Sequence, residues 1–118
     1  SLSYFDPVGN EPERVYHDLV LGMLVGLQST YTVKSNREAG TGRCDVMLIP
    51  LKPNMPGYVF EFKQIDENKK TTLEEGAQEA LKQIAALGYA AEVAAHTTLP
   101  VIVMGFAFKG KQVLVIEG

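Results

Sequence analysis

The chain has 118 residues and a mass of 12.9 kDa, room for one domain, since surface scaling leaves roughly 6,300 Å² exposed of roughly 18,700 Å² in the unfolded chain. An apolar share of 46% with 21% charged residues excludes a disordered tail or a fibrous protein. Eleven Lys and Arg against fourteen Asp and Glu leave a net charge of −3, which excludes attachment to nucleic acid through bulk positive charge.

Over 11–29 the apolar residues recur at helical spacing, with Val15, Leu19 and Met23 on one row and Tyr16, Val20, Leu24 and Leu27 beside it. Pro12 suits the first turn of that helix. Gly22 and Gly26 lower helix propensity, and their spacing of four predicts close approach by a sheet or another helix. Alternation over 31–35 then predicts a strand, Gly40 and Gly42 turn the chain, and a second strand covers 43–49. Pro50, Pro53, Asn54, Pro56 and Gly57 form a loop ahead of a third strand over 58–63. After a charged loop over 66–70, Thr72 and Glu75 have the spacing of a capping box, opening a helix whose buried row is Ala77, Ala80, Leu81 and Ile84. Gly88 suits its end, with a short helical piece over 89–95 after it. Strands over 100–108 and 112–116, joined by Lys109-Gly110-Lys111, complete the order αβββαββ, and no internal repeat interrupts it.

A single cysteine, Cys44, rules out an intrachain disulfide, so a reducing cytoplasm is the expected setting. The longest apolar stretch, 19–27, is too short to span a bilayer and no basic-then-apolar leader begins the chain, so no membrane partner is expected. The start at Ser1 rather than Met points to the C-terminal part of a longer protein, with residues 1–118 forming one domain.

The third strand carries two charged residues in an otherwise apolar run. Glu61 and Lys63 share one face while Phe60 and Phe62 take the other. The second strand holds Asp45 between Cys44 and Val46, and a hairpin of the two strands would bring Asp45 to Glu61. Two carboxylates placed together repel unless a divalent cation or Lys63 offsets their charge. Asp45, Glu61 and the backbone carbonyl of Phe62 are hard oxygen donors suited to Mg²⁺ or Mn²⁺, with Lys63 placed to stabilise charge on a phosphoryl group. A semi-buried salt-bridge network of the same three side chains accounts for the spacing equally well.

Asp45 followed by Glu61-Phe62-Lys63, in that order of elements, resembles the PD-(D/E)xK nuclease superfamily. The likeness extends to Glu13-Arg14-Val15-Tyr16-His17, Leu21-Gly22, the run from Ser35-Asn36-Arg37-Glu38 through Gly40, Gly42 and Arg43 to Asp45, then Ala80-Leu81-Lys82-Gln83-Ile84 and Gly88-Tyr89. These residues are similar to the branch usually fused behind an AAA-type ATPase-like domain. The resemblance implies an α/β fold with a restriction-endonuclease-like core, a mixed β-sheet flanked by helices. It implies metal ligands at Asp45 and Glu61 and a catalytic lysine at Lys63. Cys44 stands where many members have proline.

In the same frame Glu13 is the first-helix acid that holds a metal-bound water, or a first-turn Glu favoured by the helix dipole. Gln83 belongs near the site in members with a Gln-then-Tyr signature. Tyr89 either stacks on a base or closes the core. Glu38 is a second nearby acid, or pairs with Arg37 or Arg43. His17, His96 and Cys44 read as structural. Lys34, Arg37 and Arg43 are the expected phosphate contacts, set apart from acids such as Glu79 and Glu92 on other surfaces. The expected function is a Mg²⁺- or Mn²⁺-dependent nuclease acting on nucleic acid, with DNA rather than RNA as the expected substrate, an ATPase-like domain in the parent chain and self-association left open. The alternatives are a nuclease-like interaction module and a small regulatory domain with a polar core network.

Overall fold

The computed structural model describes residues 2–4, 12–38 and 42–118, and at 2–4, 12–17 and 38 the backbone alone. The elements are β1 (Leu2–Tyr4), α1 (Pro12–Leu27), β2 (Tyr31–Glu38), β3 (Arg43–Pro50), β4 (Tyr58–Ile65), α2 (Leu73–Leu87), α3 (Tyr89–Ala94), β5 (Ile102–Lys109) and β6 (Gln112–Glu117). The strands form one mixed sheet in the order β1-β6-β5-β4-β3-β2. β4 and β5 run parallel and every other neighbouring pair is antiparallel. The parallel pair follows from the chain between them, because a crossover that long is needed to return in the same direction and here it supplies α2 and α3. The fold is the expected α/β class with a mixed sheet flanked by helices.

Helices on both sides bury both faces of the central strands, which is why β3 reads as an almost unbroken apolar run. One face packs Val46, Leu48 and Phe62 against Val20, Met23 and Leu27 of α1, with Phe60, Phe106 and Phe108 extending the layer. The Phe62 and Phe106 rings meet at a tilt of 34° with centroids 4.6 Å apart. The opposite face packs Met47, Ile49 and Val59 under Ile84 of α2 and Val93 of α3. A third cluster joins Ile65 and Ala107 to Ala77 of α2.

Helix α2 starts at the capping box read from the sequence. Thr72 Oγ1 accepts from the Glu75 backbone N–H at 3.1 Å, and Glu75 Oε1 accepts from the Thr72 backbone N–H at 2.8 Å. These bonds hold the Glu75 carboxyl below the usual carboxylate range. Gly88 ends α2 with φ at 70°, a left-handed conformation that favours glycine, and the chain turns there into α3.

Four departures from the expected pattern have physical reasons. β1 pairs with β6 outside the expected order, and three residues carry no readable alternation. β2 runs on to Glu38, because Asn36, Arg37 and Glu38 pair with Asp45, Cys44 and Arg43 although their polarity reads as a turn. The parallel ladder with β5 carries β4 to Ile65, past the expected end at 63, and sets β5 at 102–109. Among the described residues nothing lies within 4 Å of a Cβ at Gly22 or Gly26, so close packing against those residues does not explain them; close approaches occur at Gly57, Gly76 and Gly105.

Candidate functional site

The site begins with strand register. Asp45 of β3 pairs directly with Glu61 of β4, and Asn36 of β2 pairs with Asp45 on the other side. Met47 lies two residues beyond Asp45 and Val59 two before Glu61, and both pack under α2 and α3; alternation therefore puts the two carboxylates on that same face. Directly opposed side chains have Cβ atoms only about 4.5–5.5 Å apart. Both acids are buried, Asp45 6% exposed and Glu61 2%. Like charges so placed repel in a poorly screened environment, and the arrangement persists only where donors or cations compensate.

Part of that compensation is visible around Asp45. Asn36 Nδ2 donates to Asp45 Oδ1 at 3.4 Å. Burial raises the pKa of the Tyr89 hydroxyl, and the charge of Asp45 with a hydrogen bond to it raises it further; a hydrogen bond from Asn36 acts in the opposite sense, and Glu61 adds a smaller upward push. Tyr89 thus keeps its proton and offers it to Asp45, while its ring packs with the cluster beneath α2 and α3.

A cleft of about 390 Å³ opens at this end of the sheet, lined by Asn36, Arg37, Arg43, Cys44, Asp45, Glu61, Gln83, Leu87 and Tyr89. It brings together six residues expected at the site: Arg37, Arg43, Asp45, Glu61, Gln83 and Tyr89. Lys63 stands two residues beyond Glu61 on the same face and pairs with Arg43 across the ladder. Its Nζ donates to Glu79 Oε1 of α2 at 2.9 Å. Lys34 turns from the cleft to α3, with Nζ 3.4 Å from Glu92 Oε2. Phe62 sends its ring into the α1 layer, so only its backbone is available to the carboxylate face. Glu13 lies in the first turn of α1, but its side chain, like that of Glu38, falls outside the described residues.

The expected separation of acidic and basic surfaces does not hold for two pairs: Glu79 and Glu92 contact Lys63 and Lys34. Glu79 and Asn36 are the polar residues that sequence reasoning left without a role. Asn36 lay inside the specific run ending at Asp45, and Glu79 stands one helical turn before Gln83, spacing that could have marked it.

Among the described residues no group of three or more His, Cys, Asp or Glu side chains is arranged to hold a metal. Asp45 and Glu61 nevertheless offer an all-oxygen pair, and Mg²⁺ commonly binds through one or two carboxylates while retaining water. The donor set therefore fits a hard divalent cation better than zinc or copper, which favour nitrogen and sulfur. Over residues 11–118 the chain matches the family model described as the PD-(D/E)XK nuclease superfamily. No curated protein and no solved structure matches.

Proposed function

Since the chain belongs to the PD-(D/E)XK nuclease superfamily, we propose that it is a metal-dependent nuclease that hydrolyses phosphodiester bonds of nucleic acid, with DNA rather than RNA as the substrate. The observation that carries this reading is the buried, directly opposed pair Asp45 and Glu61 beneath a cleft that also presents Arg37 and Arg43. Asp45, Glu61 and the Phe62 carbonyl would hold Mg²⁺ or Mn²⁺, which when bound polarises a phosphoryl oxygen and lowers the pKa of water. Arg37 and Arg43 hold the substrate's phosphates, as planar guanidinium groups do well. The Lys63 ammonium stabilises the negative charge that grows on the phosphoryl oxygens as water attacks phosphorus and the P–O bond to the leaving oxygen breaks. Asn36 and Tyr89 fix the Asp45 carboxylate, and Gln83 orients substrate from α2.

The Ser35-to-Asp45 run and the other residues that resemble the ATPase-associated branch support a parent chain in which an AAA-type ATPase-like domain precedes this one, and the single cysteine fits a reducing, cytoplasmic setting. No helix among the described residues is long and apolar enough to cross a membrane. A second reading, a nuclease-like interaction module, is favoured by the engagement of Lys63 with Glu79. Incubation with single-stranded, double-stranded and branched DNA and with RNA separates the two. Cleavage with Mg²⁺ or Mn²⁺ that stops on chelation and is lost in Asp45→Ala is the expected result. Absence of cleavage on every substrate, or cleavage that survives both treatments, overturns the nuclease assignment for this domain.

A further inference from the structure

The lysine that the proposed reaction needs already holds an anion. Lys63 Nζ lies 2.9 Å from Glu79 Oε1, and the lysine side chain is 19% exposed against 53% for the glutamate. Glu79 precedes Gln83 by four residues, so one stripe of α2 carries both the cleft-lining amide and this carboxylate. The Glu79 carboxyl is held below the usual range, first by the hydrogen bond from Lys63, against an opposing effect of burial, and then by the charges of Lys63, Arg43 and Lys82. One carboxylate therefore sits among cations supplied by β3, β4 and α2. Two oxygens sharing a negative charge against the Lys63 ammonium reproduce what a phosphodiester's non-bridging oxygens would present there. Because Glu79 is half exposed, an incoming anion can reach the position, and an ion pair this exposed is weak enough to exchange.

We propose that Glu79 occupies the phosphate position at Lys63, an internal anion that a nucleic-acid phosphate displaces when it binds. The identity of the incoming anion rests on the nuclease reading; the anion position itself rests on the Lys63–Glu79 geometry. Exchange of one anion for another leaves little net gain, and the displaced carboxylate remains beside the incoming phosphate and repels it. Affinity for nucleic acid is thereby held down, and whatever draws Glu79 aside raises it.

The test uses Glu79→Gln, which keeps the side chain's shape and its helix, with Glu79→Ala as a second variant and circular dichroism to establish folding. Both are measured without divalent metal, against inorganic phosphate by thermal denaturation and against a short fluorescent single-stranded DNA by anisotropy. Glu79→Gln is expected to bind the DNA about fivefold more tightly than wild type at low salt, as removal of one repelling charge at a phosphate contact implies. Phosphate is expected to raise its melting temperature more than that of wild type. In a Lys63→Ala background the Glu79 substitution is expected to add nothing. Unchanged or weaker binding of both probes, or a gain that persists without Lys63, overturns the proposal. Phosphate stabilisation confined to the Glu79 variants, with no DNA bound by any form, supports the anion position and counts against the nuclease reading. Equal DNA binding and equal phosphate response in wild type and variants overturns the anion position and leaves the nuclease reading standing.

Discussion

Lys63→Ala is expected to lower the rate of phosphodiester cleavage by at least roughly a hundredfold, the usual loss when one group stabilising transition-state charge is removed. The melting temperature is expected to stay within a few degrees of wild type. Two features separate these effects. Lys63 is at the margin of the core, and its contact is an ion pair with a half-exposed carboxylate, the kind that contributes about 0–1 kcal/mol to stability. Its place beside Glu61 on the carboxylate face is what the chemistry uses. Were Lys63 a member of a polar network with no chemical role, the pattern would reverse, with a stability loss and no rate specific to lose. Single-turnover cleavage and thermal denaturation on the same preparation read both quantities.

Gly105→Ala is expected to destabilise the fold by about 2–3 kcal/mol, at the upper end of overpacking costs, and to lower the melting temperature by roughly 10 °C. A Cβ at this position would run into the backbone carbonyl oxygen of Ala77, with Leu81 Cγ 3.1 Å and Ala80 Cβ 3.2 Å away. Backbone cannot step aside as a flexible side chain can, so α2 must lift from β5. Gly105 pairs with Glu61 across the parallel ladder, and α2 carries both Gln83 and Glu79; the same displacement widens the cleft and is expected to reduce activity as well. Gly22→Ala supplies the contrast. Among the described residues its Cβ meets nothing within 4 Å, so the substitution is expected to stabilise α1 by about 0.5–1 kcal/mol through helix propensity. Melting curves of the two variants check both signs.

The contrast between these glycines shows where sequence reasoning stops. Glycines four apart on a helix suggested a packing seam, yet the seam lies at Gly76 and Gly105, which no periodicity marks. By contrast, the carboxylate pair was legible. Asp45 stands in an apolar strand and Glu61 in another, and once the apolar residues on either side are buried against helices, register leaves the two acids facing each other. The capping box at Thr72 was legible too, because it depends on residues three apart. Glu79 was not. Glu74, Glu75 and Glu79 look alike as acids of a solvated helix, and only the seating of α2 over the sheet singles out the last as the partner of Lys63. Asn36 was hidden for a related reason, since its role depends on β2 extending beyond the stretch that alternates.

Diffraction from crystals of the wild-type domain soaked in Mn²⁺, with anomalous differences collected at the manganese edge, locates a divalent cation held between the two buried carboxylates. One strong peak within coordination distance of both Asp45 and Glu61, and absent from Asp45→Ala crystals treated the same way, is the expected result. A map with no peak between these carboxylates, or a peak that persists in Asp45→Ala, would contradict it.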